Sequence, residues 1–186
     1  LSLIGRSPYM AAGVSAALIA TNTGADVIPG GAGNDTISFE GEVGSFNIDL
    51  GSGIVTSDRG NTGAFVLEDV IGQMTTDAAG KAIFVFTGDV ENATGGLGDD
   101  RLVGDGNDNV LSGREGSNFY NGDEGIDTAV LDGALAAFTF SRTGNVLVLA
   151  NGLNVQRVIN TEFLQFADRR VSVADIFNVL SDGQSQ

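Results

Sequence analysis

The chain contains no cysteine, no histidine and no tryptophan, and only two prolines among its 186 residues. Without cysteine it has neither disulfides nor thiolate metal sites. Without histidine it has no histidine-based Ser or Cys triad, no HExxH zinc site and no His-ligated haem. Positive charge is scarce as well: 9 Lys and Arg stand against 24 Asp and Glu, a formal net charge of −15. Such a surface disfavours nucleic-acid phosphates and anionic membranes, and it suits divalent cations. Apolar runs are too short to span a bilayer, so membrane insertion is not expected. The 42% hydrophobic content still argues for a core rather than a disordered acidic tail. Self-repulsion predicts that this core waits for cations.

What the chain has in quantity is glycine, 28 residues, and much of it keeps time. Gly95, Gly104, Gly113 and Gly122 fall nine apart, each followed five residues later by Asp or Asn. The rows read GGLGDDRLV, GDGNDNVLS, GREGSNFYN and GDEGIDTAV; an earlier pair, TNTGADVIP and GGAGNDTIS, spans residues 21–38. A short fixed period implies stacked, similar units. The glycine-rich half of each row suits a tight turn and lets carbonyl oxygens face a shared centre. The sixth position supplies the polar group: Asp26, Asp35, Asp100, Asn109, Asn118 and Asp127. Calcium, a hard cation, takes about six to eight oxygens from carboxylates and carbonyls alike. The eighth position (Ile28, Ile37, Leu102, Leu111, Tyr120, Ala129) is mostly apolar and is expected to face a thin core.

Metal-free bracing of turns by Asx side chains is the alternative, and it weighs most for Asn109 and Asn118. Asp99, Asp105, Asp108, Asp123 and Glu124 read as solvated turn residues. The GxG pieces follow no βαβ unit, which argues against a phosphate cradle. Carboxylates are abundant but form no catalytic signature, so the chain is not expected to be an enzyme.

The rows GGAGNDTIS and GGLGDDRLV resemble the calcium-binding RTX nonapeptide repeat. The resemblance implies an all-β fold, a parallel β-roll with Ca²⁺ between turns on each side. It also implies a ligand set of Asp26, Gly31, Gly33, Asp35, Gly96, Gly98, Asp100, Asn109, Asn118 and Asp127. In such a roll successive rows alternate sides, pairing Asp100 with Asn118 and Asn109 with Asp127. Each pair joins one carboxylate to one amide, so two sites weaker than all-Asp ones are expected. Extracellular calcium modules bind at roughly 10⁻⁴ to 10⁻³ M. Two rows depart from the pattern: Asn107 and Arg114 stand where glycines are expected, and Asn107 is expected to reach the left-handed region.

The resemblance further implies a secreted, extracellular bacterial protein that meets the type I secretion machinery and folds on calcium outside the cell. Attachment to the cell surface, or self-association as a surface-layer, adhesin or filament protein, is the alternative.

Along the chain, residues 1–22 form an apolar segment. It reads either as a secretory signal or, preferably, as a helix capped by Ser7 with Pro8 at its first position and running through Met10–Ala20. The absence of an initial Met makes the chain a candidate fragment of something longer. Residues 39–94 leave the strict beat as an inserted β segment, with strands expected at 45–50 and 81–86. Within it the degenerate row DAAGKAIFV (77–85) falls in register, with Ala82 at its sixth position, so it is expected to stack without holding metal. The first repeat pair has no obvious next-but-one partner. Residues 77–94, missing upstream repeats or another chain could each supply one. Residues 95–130 form the main repeat block. Residues 131–186 read as a β cap and candidate secretion signal, with strands at 138–142, 145–149, 155–159 and 163–166 and a turn at Asn151–Gly152. The segment 171–180 fits either a helix or a strand. Phe138, Phe140, Phe163, Phe166 and Phe177 are expected to cover the open end of the roll.

Overall fold

A computed structural model describes residues 17–20, 34–40, 44–57, 65–68, 72–76, 82–86 and 90–181. Nearly all regular structure in it is strand. The order begins with β1 (Ala17–Ala20), β2 (Thr36–Ser38), β3 (Phe46–Asp49), β4 (Ile54–Ser57), β5 (Phe65–Glu68), β6 (Gly72–Thr76) and β7 (Ala82–Phe86). The repeat rungs follow as β8 (Asn92–Thr94), β9 (Arg101–Val103), β10 (Val110–Ser112), β11 (Phe119–Asn121) and β12 (Thr128–Val130). After a 3-10 turn at Leu135–Ala137 come β13 (Thr139–Thr143), β14 (Val146–Asn151), β15 (Asn154–Ile159), β16 (Phe163–Gln165), β17 (Arg170–Ser172) and helix α1 (Val173–Ser181).

These strands form two mixed sheets, ordered β1-β5-β2-β8-β10-β12-β16-β17 and β13-β14-β15-β11-β9-β3-β4-β7-β6. The middle of each is parallel: β2, β8, β10, β12 and β16 in one, β3, β9, β11 and β15 in the other. Within the beat, paired residues lie 18 apart, as in Asn92↔Val110↔Thr128, because each nine-residue row makes one turn and one three-residue rung before the chain crosses to the other sheet. Antiparallel hairpins flank these centres.

Rungs this short bury chiefly the central side chain, since neighbours on a strand face opposite ways, although β9 buries Val103 beside Leu102. The eighth-position residues Ile37, Leu102, Leu111, Tyr120 and Ala129 are all at most 1% exposed. Ala93, Ile48, Val158 and Leu164 extend the same line into rungs outside the strict repeats. Phe46 stacks on Phe39 at one end, with ring centroids 4.4 Å apart. Phe138 and Phe140 meet the edge of Phe166 at the other.

Several expectations need correction. Ala17–Ala20 is a strand paired antiparallel with β5, not the last turn of a helix; the rest of that segment lies outside the described residues. The row at 77–85 does not stack in parallel. Its β7 pairs antiparallel with β4 and β6, because the apolar run AIFVF is long enough to enter a hairpin rather than stop after three residues. Phe163 does not line the core: Leu164 takes the inward position, and Phe163 lies on the outer face beneath the Arg170 guanidinium, 3.8 Å from its ring centroid. Phe177, by contrast, packs half-buried against the core and is covered by Arg142, 4.2 Å from its ring centroid. The segment 171–180 is both things at once, a strand end and then a helix.

Candidate metal centre

The rungs β2 and β8 to β12 are each preceded by a sixth-position residue of the nine-residue register, and these residues line up along the two flanks of the stack. On one flank the Phe46 N–H donates to Asp100 Oδ1 at 2.7 Å, the Asp100 N–H to Asn118 Oδ1 at 2.8 Å, and the Asn118 N–H to Gln156 Oε1 at 3.0 Å. On the other flank the Asp35 N–H donates to Glu91 Oε2 at 2.7 Å, the Asn109 N–H to Asp127 Oδ1 at 2.8 Å, and the Asp127 N–H to Glu162 Oε2 at 2.7 Å. In each of these six contacts the side chain accepts from the backbone at or just ahead of the start of the preceding rung on its flank, whereas Asn109 Oδ1 accepts from the Asp105 N–H of its own row at 2.8 Å. Asp35, Asp100, Asn109, Asn118 and Asp127 are all at most 5% exposed.

The structure brings Asp100 beside Asn118 and Asn109 beside Asp127. It also seats Asp35 against Glu91, within the 77–94 segment. Gly96 donates its N–H to Asp100 Oδ2 at 2.8 Å, and Gly98 donates to the Gly44 carbonyl at 3.0 Å. Asp26, Gly31 and Gly33 lie outside the described residues.

The beat glycines are required for room rather than for backbone angle, since none of Gly95, Gly104, Gly113 and Gly122 has positive φ. A Cβ on Gly95 would lie 2.1 Å from Asp100 Oδ2, on Gly104 2.1 Å from Asn109 Oδ1, and on Gly122 2.2 Å from Asp127 Oδ2. On Gly113 it would lie 2.6 Å from Asn118 Nδ2. The sixth-position side chain folds back onto the first residue of its own row, and only glycine leaves that space. Left-handed angles do occur at Arg114 (φ 60°), Asp123 (φ 75°) and Asn160 (φ 44°), but not at Asn107. Asn107 instead sits in an Asx turn, its N–H on Asp105 Oδ1 at 2.9 Å.

Asp127 behaves differently from the two amides. Asn118 Nδ2 donates to the Glu115 carbonyl at 3.0 Å and the Arg114 carbonyl at 3.4 Å; Asn109 Nδ2 donates to the Glu91 carbonyl at 2.9 Å and Asp105 Oδ1 at 3.1 Å. These N–H groups occupy oxygens that would otherwise face a cation. Asp127 has no such donor: Oδ2 is buried and has no hydrogen-bond partner. Burial, followed by the nearby Glu162, Asp108 and Asp105 charges, pushes its carboxyl from 3.8 up to about 6, against the lowering effect of the Asn109 N–H. A buried carboxylate oxygen without a donor is costly, and it fits a cation better than it fits any neighbour present. Among the described residues no three carboxylates converge on one point, so a cation here would draw on backbone carbonyls and amide oxygens as well.

Sequence reasoning missed three members of the flanks: Glu91, Gln156 and Glu162. For Glu91 the signal was present, since the row FTGDVENAT (86–94) continues the nine-residue register with Glu91 at its sixth position and Ala93 at its eighth. Gln156 and Glu162 follow a hairpin that breaks the beat.

A family model for the RTX calcium-binding nonapeptide repeat matches four copies, over residues 17–41 and 94–129. No curated protein matches the chain. Among solved structures the chain is similar to the extracellular lipase LipA from Serratia marcescens, at 18% identity and a TM-score of 0.23. That likeness covers 43% of this chain and 15% of the lipase, and it is too slight to bear on activity. Over residues 17–41 and 94–129 the chain therefore carries repeats of the RTX calcium-binding nonapeptide type.

Proposed function

We propose that this chain is a calcium-dependent folding module of an extracellular bacterial protein, exported by a type I system and closed into a parallel β-roll on reaching calcium. The observation that carries this reading is the buried, unpartnered Oδ2 of Asp127 within a flank that also holds Asp35, Glu91 and Glu162. Bound calcium supplies positive charge and oxygen coordination that no side chain here provides. Asp100 and Asp127 are the carboxylates that would hold it in the repeat block, with Asn109, Asn118 and the glycine-turn carbonyls, including those of Gly96 and Gly98, as neutral oxygens. Asp26, Asp35, Gly31 and Gly33 would do the same for the first pair. In a low-calcium cytosol the carboxylates repel one another and leave the fold only marginally stable, so that much of the population is loose. At extracellular calcium the folded form is favoured by mass action.

In this reading residues 21–38 and 95–130 are the roll, 39–94 is an insertion that contributes rungs and hairpins, and 131–186 is the cap and candidate secretion signal. Among the described residues no helix is long and apolar enough to cross a membrane. Circular dichroism with sizing, with and without calcium, tests the proposal: a gain of β signal and a smaller hydrodynamic radius are expected, and an unchanged spectrum refutes it.

Self-assembly at a cell surface is the second reading. It is favoured by the sheets' ending, among the described residues, in strands with one neighbour, β1 and β17 in one and β13 and β6 in the other. Calcium-dependent sedimentation into large particles would support it, and a persistent monomer would count against it.

A further inference from the structure

The cradle around Gly104 recurs, in different chemical dress, around Gly122. Beside Gly104 two oxygens converge where a Cβ would stand: Asn109 Oδ1 at 2.1 Å, from its own row, and the Gly122 carbonyl at 2.3 Å, from the row two further on. The row two further on also sends Asp127 Oδ1 to the Asn109 N–H. Beside Gly122 the corresponding oxygens are Asp127 Oδ2 at 2.2 Å and the Asn160 carbonyl at 2.1 Å. Here Glu162 Oε2 takes the Asp127 N–H.

Asn160 and Glu162 thus stand where the first and sixth residues of a further nonapeptide would stand. They come from the connection between β15 and β16, which has no nine-residue beat and lies beyond the matched repeats. The left-handed φ of 44° at Asn160 belongs to this turn, and its side chain anchors it by donating to Asn121 Oδ1 at 2.9 Å. Two features set this cradle apart from the one below it. Its row-internal oxygen, Asp127 Oδ2, is the buried atom that lacks a partner. It also has two carboxylates, where the Asn109–Asp127 cradle has one and an amide.

We propose that Asp127, Glu162 and the Asn160 carbonyl form a calcium site outside the sequence repeats, and that it fills before the Asn109–Asp127 site. The inference rests on the calcium-binding reading above. More ligand charge means tighter binding of a hard divalent cation, and Glu162 is exposed, so its carboxylate reaches calcium without a prior opening of the fold.

The test is calcium calorimetry and native mass spectrometry on the full chain and on Glu162→Gln, with Asp99→Asn as a control for loss of one surface charge. The glutamine keeps an acceptor for the Asp127 N–H, and circular dichroism in saturating calcium checks that the fold is retained. The expected result is one fewer bound calcium in E162Q, or a tightest step weakened by roughly tenfold or more. D99N should leave that step within about twofold, since the Asp99 carboxylate takes the Ser117 N–H on the other flank and is exposed to solvent. Equal stoichiometry and affinity in E162Q and the unaltered chain overturn the Glu162 site while leaving the repeat reading intact. Absence of calcium binding by the unaltered chain overturns both.

Discussion

Replacing Asp127 with Asn should have opposite effects with and without calcium. In the metal-free fold the Asp127 carboxyl is raised from 3.8 to about 6, so the folded form holds this proton more tightly than the unfolded form does. The associated stability is fully present below the unfolded pKa and is lost as pH rises through about 6. At about 1.4 kcal/mol per unit, the complete shift corresponds to at most about 3 kcal/mol. Asp108 and Glu162 are exposed and Asp105 half-buried, so screening brings the expected value to about 1–2 kcal/mol. Asp127→Asn should therefore stabilise the metal-free protein by about that amount at pH 7.5, and by nearly nothing at pH 4. With calcium the sign reverses, because the variant forfeits a charged ligand. A calcium concentration near a hundredfold Kd contributes about 2.7 kcal/mol to the unaltered protein, and the variant should lose much of that. Urea unfolding in chelator and in calcium, across pH 4 to 8, measures both. A variant that is less stable than its parent in chelator at pH 7.5 would refute the assignment of Asp127 as a strained, cation-seeking carboxylate.

Three further outcomes follow from the same geometry. Gly95→Ala places a methyl 2.1 Å from Asp100 Oδ2 and should cost about 2–3 kcal/mol by dislodging the bonds to Phe46 and Gly96. Gly106→Ala, with open space around its Cβ, should stay within about 0.5 kcal/mol in the same melts. Asn118→Asp removes the amide donors to the Arg114 and Glu115 carbonyls, so chelator stability should fall by about 1–3 kcal/mol. Calorimetry on the same variant should show calcium affinity rising by roughly tenfold as the site gains a charge. The Tyr120 phenol is driven well above its usual range by burial, and its phenolate absorbance should emerge only as the protein unfolds in alkali; a separate, earlier titration assigned to Tyr120 by comparison with Tyr120→Phe would contradict its burial.

The repeat block was legible because each row carries its own turn, ligand and core residue within nine positions. Leu102, Leu111, Tyr120 and Ala129 could be placed inward from spacing alone, and all four are buried. Segments where one rung is assembled from distant chain were not legible. Glu162 reaches Asp127 across 35 residues and Gln156 reaches Asn118 across 38, so no local period connects them. The DAAGKAIFV row misled for the converse reason: it keeps the register, but its five-residue strand finds antiparallel partners that a three-residue rung cannot satisfy. Asn107 misled because an Asx turn served where a left-handed angle was expected.

The two flanks are chemically unlike. One carries Asp35, Glu91, Asn109, Asp127 and Glu162; the other carries Phe46, Asp100, Asn118 and Gln156, whose amides are already satisfied by backbone carbonyls. Removing calcium should therefore not loosen the stack evenly. The amide-lined edge can act as a hinge that stays shut while the carboxylate-lined edge gapes, so the metal-free molecule would open like a book along one spine. After chelation, amide hydrogen exchange should then show protection lost first at Asp127 and retained longest at Asn118.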